Sequence, residues 1–291
     1  MSSRVDSYRQ EAAKNPGSAG ARQDRRDAAI SYSPKPQPGC RGAPAERDSL
    51  MRAKAFDSDG EHPIVNKLST LTSRSYARGL KLLAESDADL AQILERHGRP
   101  PLWQREEGFP TLIKIILEQQ VSLASAEAAF KKLLAIASPL TPARFLELDE
   151  VALKSAGFSR QKIVYGRHLA EAIAGGSLDL YALRAKSDED VRSELQKVKG
   201  IGLWTAEIYL LRALLRPDAW PGGDLALAIA VQELKRLPHR PGPLELEVLS
   251  KQWQPFRAIA ARLLWNHYLH SPRRKSLPQR RTGKTRRKLS R

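Results

Sequence analysis

Leu195-Gln196-Lys197-Val198-Lys199-Gly200-Ile201-Gly202-Leu203-Trp204-Thr205-Ala206 is the stretch on which the reading of the fold turns. Two glycines flank one apolar residue between two helical segments, so the backbone can turn sharply there and lie bare against a ligand. The helix that begins after Gly202 offers N–H groups without intrahelical acceptors and the positive end of its dipole. An anion suits that end, and a phosphate held by backbone groups is held without regard to base sequence. Lys199, Gly200, Ile201, Gly202, Leu203 and Thr205 are the residues so placed. Taken alone, a Gly-x-Gly describes equally well a plain helix-to-helix turn around a buried isoleucine.

Outward from this stretch the pattern is helical almost throughout. Leu112, Ile113, Ile116 and Leu117 recur at the steps of one helix face, as do Phe130, Leu133 and Leu134. Ile163, Leu169, Ala170 and Ile173 form a further stripe, ended by Gly175 and Gly176, and Trp204, Ile208, Leu211 and Leu215 form another. Phe256, Ile259, Ala260, Leu263 and Leu264 make the last. No run alternates with a period of two, and Gly/Pro punctuation is dense. The expectation is an all-α fold of about nine or ten short helices over residues 61–270, in two helical subdomains with a cleft between them.

Residues 1–60 are rich in Ser, Gly, Pro, Arg and Ala and poor in large apolar side chains, a composition that predicts a disordered leader with no room for a β domain. The last 21 residues hold 10 Lys/Arg and no Asp/Glu and read as a solvated basic tail, which accounts for more than half of the net charge of +17. That balance favours a polyanionic partner. The single cysteine, Cys40, excludes an intrachain disulfide, a zinc cage and a cysteine-ligated cluster. No apolar run reaches about 18 residues, so no membrane span is expected. His267 and His270 read as residues of a helix end, and the six histidines suggest no metal.

Trp220-Pro221-Gly222-Gly223-Asp224-Leu225-Ala226 precedes another apolar helix, so Asp224 is expected at its N-cap. That is a common structural position. It is also one where helix N–H groups and the dipole favour the ionised carboxylate, as an anion that stabilises a cationic transition state requires.

Lys199-Gly200-Ile201-Gly202-Leu203-Trp204-Thr205-Ala206 with a downstream aspartate resembles the helix-hairpin-helix DNA glycosylases, whose hairpin is followed by a Gly/Pro-rich loop and a catalytic Asp. The resemblance covers roughly residues 64–270. It implies that Asp224, in the loop 220–225, steadies the sugar cation that forms as a flipped base leaves. In members that also nick the strand, a lysine stands where this chain has Trp204, and a tryptophan cannot be the amine nucleophile. The likeness therefore runs to the DNA-3-methyladenine glycosylase II branch, as does Trp253-Gln254-Pro255-Phe256-Arg257. It implies a monofunctional enzyme that acts on alkylated bases in double-stranded DNA, as a monomer. It would work in the cytoplasm at the nucleoid in a bacterium, or in the nucleus of a eukaryote.

The same resemblance points to Trp204, Phe256 and Trp103 as base-pocket aromatics, although Trp204 and Phe256 also sit on apolar helical stripes that would serve a core. In Gln119-Gln120-Val121-Ser122 it marks Gln120 as the wedge that fills the hole left by a flipped base, or else as a solvated residue at a helix end. Ser122 and Ser159 fit helix caps, and Lys162 reads as surface charge. No organic cofactor is implied; hairpins of this type hold Na+ or K+ on backbone carbonyls, here those of Gln196, Val198 and Ile201. Two alternatives stay open: a glycosylase for uracil, hypoxanthine or mismatched bases, and a non-catalytic DNA-binding module.

Overall fold

In the computed structural model, which describes residues 70–271, every regular element is a helix. The expectations placed on the leader, on Cys40 and on the basic tail beyond Ser271 lie outside the described residues. Helix starts follow the polar punctuation of the sequence. Thr72 caps α1 (Ser73–Ser86), Asp87 caps α2 (Ala88–His97), and Gly108 precedes α3 (Phe109–Glu118). Ser122 caps α4 (Leu123–Ile136), Thr141 caps α5 (Pro142–Glu147), Asp149 caps α6 (Glu150–Ser155) and Ser159 caps α7 (Arg160–Ala174). Ser187 caps α8 (Asp188–Gln196), Gly202 precedes α9 (Leu203–Arg212) and Asp224 caps α10 (Leu225–Leu234). Gly242 leads into α11 (Pro243–Ser250), and Phe256 into α12 (Arg257–His270). Each Ser, Thr or Asp cap accepts a first-turn N–H that the helix cannot satisfy itself.

Among the described residues this makes twelve α-helices rather than nine or ten, plus two 3-10 turns at Ala182–Ala185 and Lys251–Trp253. The excess includes α5 and α6, six residues each, which are too short to display a helical period and are set only by their caps.

The helices pack in two sets. One comprises α1, α2, α10 and α12; in the other, α3 packs with α4, α7 and α9, α5 and α6 pack on α7, and α8 on α9. α3 is apolar on nearly every side, and Leu112, Ile113, Ile115 and Ile116 are fully buried. Buried Arg262 on α12 fastens the sets together, donating to the carbonyls of Leu102 (2.9 Å), Ala258 (2.8 Å) and, at the end of α9, Leu211 (2.7 Å). An arginine with its donors matched to carbonyls in this way meets the requirement for burying a charge. Among the described residues no helix is long and apolar enough to cross a membrane.

Candidate active site

The chain enters α10 through Trp220-Pro221-Gly222-Gly223. The Asp224 N–H donates to the Pro221 carbonyl at 2.8 Å, closing a tight turn, and Asp224 Oδ1 accepts the Leu227 N–H at 3.1 Å as an N-cap should. The turn is also held from α9, where the buried Glu207 accepts the Trp220 N–H at 2.8 Å and pairs with Arg192 at 2.5 Å. Burial raises the Glu207 pKa, opposed by Arg192.

Two indoles complete the surroundings of Asp224. Trp204 Nε1, in the first turn of α9, donates to Oδ2 at 3.3 Å, and Trp265 Nε1, on α12, donates to Oδ1 at 3.2 Å. Asp224 is 7% exposed, so its charge has little water to lean on. Burial raises its pKa above the ordinary aspartate value, more than the Leu227 N–H and the two indoles lower it. The helix terminus alone suggested an acid held firmly ionised. The burial that reverses this belongs to tertiary packing, which no local pattern displays.

The aromatics expected around a base divide. Trp204 is half-buried and bonded to Asp224. Trp103 is half-buried in a left-handed conformation (φ 48°), edge-on to Trp265 with ring centroids 6.3 Å apart. Phe256 is elsewhere: its ring lies 3.1 Å from where a Cβ on Gly79 of α1 would stand. It precedes Trp265 by nine residues, about 13 Å along the helix axis. Its helical stripe identified a core contact. The Trp253-to-Arg257 segment is an anchor: Trp253 Nε1 donates to Asp87 at 2.9 Å, and Arg257 pairs with Asp218 and Glu247, each at 2.8 Å. Sequence reasoning missed Trp265. It lies beside Leu263 and Leu264 in an apolar run, with nothing in its neighbours to separate it from core.

At the hairpin, Val198 and Ile201 are buried while Lys199, Gly202 and Leu203 are exposed. Gly200 has φ +97°, and a Cβ there would stand 2.1 Å from the Tyr165 ring, so only glycine fits. The Val198 carbonyl accepts the Ile201 N–H at 3.0 Å. Gln196 ends α8, its amide bonded to the Arg192 carbonyl. Leu203, Trp204 and Thr205 present the first-turn N–H groups of α9. The Thr205 side chain turns inward: it is buried and bonded to the Gln119 amide at 3.0 Å. Any part it plays in gripping a phosphate falls to its backbone.

Gln120 is exposed with φ 56°, beside the hairpin and across a groove of about 340 Å³ lined by Gln119, Gln161, Lys162, Tyr165 and Gly200 to Gly202. Lys162 is more than surface charge. Its Nζ donates to the Leu117 carbonyl at the end of α3, at 2.6 Å, and burial lowers its pKa to about 8.

A glycine hairpin before one helix and a buried aspartate capping the next, joined by a tryptophan, define a helix-hairpin-helix protein with a Gly/Pro–Asp loop. Residues 113–255 match the model of the HhH-GPD superfamily base excision DNA repair proteins. DNA-3-methyladenine glycosylase 1 of Schizosaccharomyces pombe is 31% identical over 166 residues, which cover 56% of this chain and 73% of that one. YfjP of Bacillus subtilis is 29% identical over 188 residues, 62% of this chain and 66% of the relative's length. The solved structure of the fission yeast 3-methyladenine DNA glycosylase Mag1 with abasic DNA superposes with a TM-score of 0.59 at 30% identity, over 66% of this chain and 95% of that one. A Bacillus halodurans DNA-3-methyladenine glycosidase gives 0.56 at 29% identity, covering 66% and 88%. The chain belongs to the HhH-GPD superfamily of base excision DNA repair proteins.

Proposed function

We propose that this protein is a monofunctional DNA glycosylase that flips an alkylated base, of the 3-methyladenine or 7-methylguanine type, out of double-stranded DNA and hydrolyses its N-glycosidic bond. The observation that carries the reading is Asp224, a carboxylate buried at a helix start and fixed by the indole N–H groups of Trp204 and Trp265.

As the bond from C1′ to the base nitrogen breaks, the electron pair leaves with the base and positive charge grows on the sugar. A fixed anion beside C1′ lowers that barrier because it needs no reorganisation at the moment of reaction. Water then adds to C1′ and loses a proton, which Asp224 can accept; a carboxyl whose pKa is raised toward neutrality is the better acceptor. A base that is already cationic leaves as a neutral molecule without protonation, so one carboxylate suffices. The half-exposed ring of Trp103, backed edge-on by buried Trp265, suits such a base by stacking and cation–π attraction, and the names of the relatives point to the same substrates. Trp204, at the position of the amine nucleophile in strand-nicking relatives, leaves an abasic site as the end product.

The hairpin N–H groups and Lys199 would hold a backbone phosphate, and Gln120 would enter the duplex. The carbonyls of Gln196, Val198 and Ile201 are neutral donors, as a Na+ or K+ beside a phosphate requires. Replacing the alkali cation with tetramethylammonium at constant ionic strength should weaken duplex binding, and equal affinity in both salts removes the ion from the scheme.

The deciding assay measures release of 3-methyladenine and 7-methylguanine from methylated DNA. Wild type should release both and Asp224→Asn neither. Equal release by the two proteins defeats the reading, and release only from uracil or hypoxanthine duplexes moves the substrate class.

A further inference from the structure

We propose that Gln119 is a positioning residue for base flipping, an amide clamp that locks the Gln120 turn to the phosphate-gripping hairpin so that grip and wedge move as one piece; the inference rests on the glycosylase reading. Gln119 is the C-cap of α3, with φ −58° and ψ 123°, and is half-buried. Its Nε2 donates to the Gly200 carbonyl at 3.0 Å and to Thr205 Oγ1 at 3.0 Å, residues 81 and 86 positions further along the chain. One amide thereby spans the hairpin from the turn itself to the first turn of α9.

Both sides of this contact lack freedom to follow if it breaks. Gly200 sits at φ +97° over the Tyr165 ring, so its carbonyl direction is set by the turn. On the other side, Lys162 Nζ holds the Leu117 carbonyl at 2.6 Å and Ser122 caps α4. Between these fixed points Gln120 alone is exposed and left-handed, at φ 56°. A non-glycine residue in that conformation persists only where its surroundings hold it. The Gln119 bonds are the part of those surroundings that reaches across to the DNA-gripping element.

A wedge attached loosely to the phosphate site would still let the duplex bind but would press on the base pair less effectively. The test uses two duplexes with 7-methylguanine, one opposite cytosine and one opposite a tetrahydrofuran abasic analogue. The second has no partner base to displace and needs little from a wedge. In single-turnover assays Gln119→Ala should lose about tenfold on the paired duplex, as expected for one or two neutral hydrogen bonds, and stay within about twofold of wild type on the orphaned one. Thr205→Val removes only the Oγ1 acceptor and should repeat the split in smaller measure, and Gln120→Ala should show it in full. The slope of log affinity against log salt should not change, because no phosphate contact is lost. An equal loss on both duplexes, or none on either, overturns the clamp. A wild type that releases nothing from either duplex, nor any base from methylated, uracil or hypoxanthine DNA, overturns the glycosylase reading itself, a result distinct from the other two.

Discussion

The hairpin and the Asp224 site lie at two ends of one short stretch of chain and are built on opposite terms. The hairpin is backbone at the surface, where Gly200 makes the turn over the Tyr165 ring and Gly202 leaves open space before the uncapped amides of α9. The Asp224 site is side chain in the interior, where a carboxylate has lost its water and depends on the N–H groups of Ala226 and Leu227 and on the indoles of Trp204 and Trp265. A surface of main-chain donors carries no side-chain selectivity, whereas a buried carboxylate between indoles depends on every side chain around it. Affinity and chemistry should therefore respond separately to substitution.

The sharpest break should come from Asp224→Asn. The anion is lost, and the single-turnover rate should fall by at least about a hundredfold, with affinity for an abasic duplex within twofold of wild type. If affinity falls in step with rate, the two regions are not separable. Gly200→Ala should act in the other direction. A Cβ at φ +97° and 2.1 Å from Tyr165 strains both backbone and packing, lowering stability by about 2 kcal/mol or more. Thermal unfolding checks this, and duplex affinity should drop with it.

Trp265→Phe keeps most of the ring and removes the Nε1–H donor to Oδ1. The indole lowers the Asp224 pKa against the larger effect of burial, so its loss should raise that pKa further. Activity needs the ionised form and is lost as pH falls through the folded pKa. The acid limb of the rate profile should thus lie above the ordinary aspartate range in wild type and higher still in the variant. A limb that does not move separates Trp265 from the ionisation.

The smallest effect concerns Lys162, whose folded pKa of about 8 lies below the ordinary 10.5. Between those values the unfolded chain binds more protons than the native one, so this group makes stability rise with pH across that window and adds nothing to the slope below it. Lys162→Met should flatten the rise in a series of urea titrations from pH 7 to 10.5. An unchanged slope removes the burial argument.

The two regions also differed in how far they could be read from the sequence. The hairpin and the N-cap at Asp224 follow from local rules: a glycine where no Cβ fits, an aspartate where an amide needs an acceptor. Both stand where the pattern put them. The pocket follows from no such rule. Phe256 caps the helix that carries Trp265, each in an apolar stretch, and only packing shows that Trp265 meets Asp224 while Phe256 covers Gly79. The raised pKa of Asp224 was hidden for the same reason, since burial is a property of every helix around it. Lys162 looked like a solvated charge until α3 brought the Leu117 carbonyl to its ammonium. Thr205, named for its place in the hairpin, has its side chain bonded inward to Gln119, a partner 86 residues away that no local pattern shows.

α9 carries the uncapped hairpin amides at its start, Trp204 one step later and Glu207 one turn on. It is therefore a gauge as well as a support. The distance from the hairpin amides to Trp204 and Glu207, the two residues by which α9 holds the Asp224 turn, is fixed by helical pitch. Deleting one residue between Gly202 and Glu207 would swing the later positions by about 100°, taking Glu207 away from the Trp220 N–H and loosening the turn that carries Asp224.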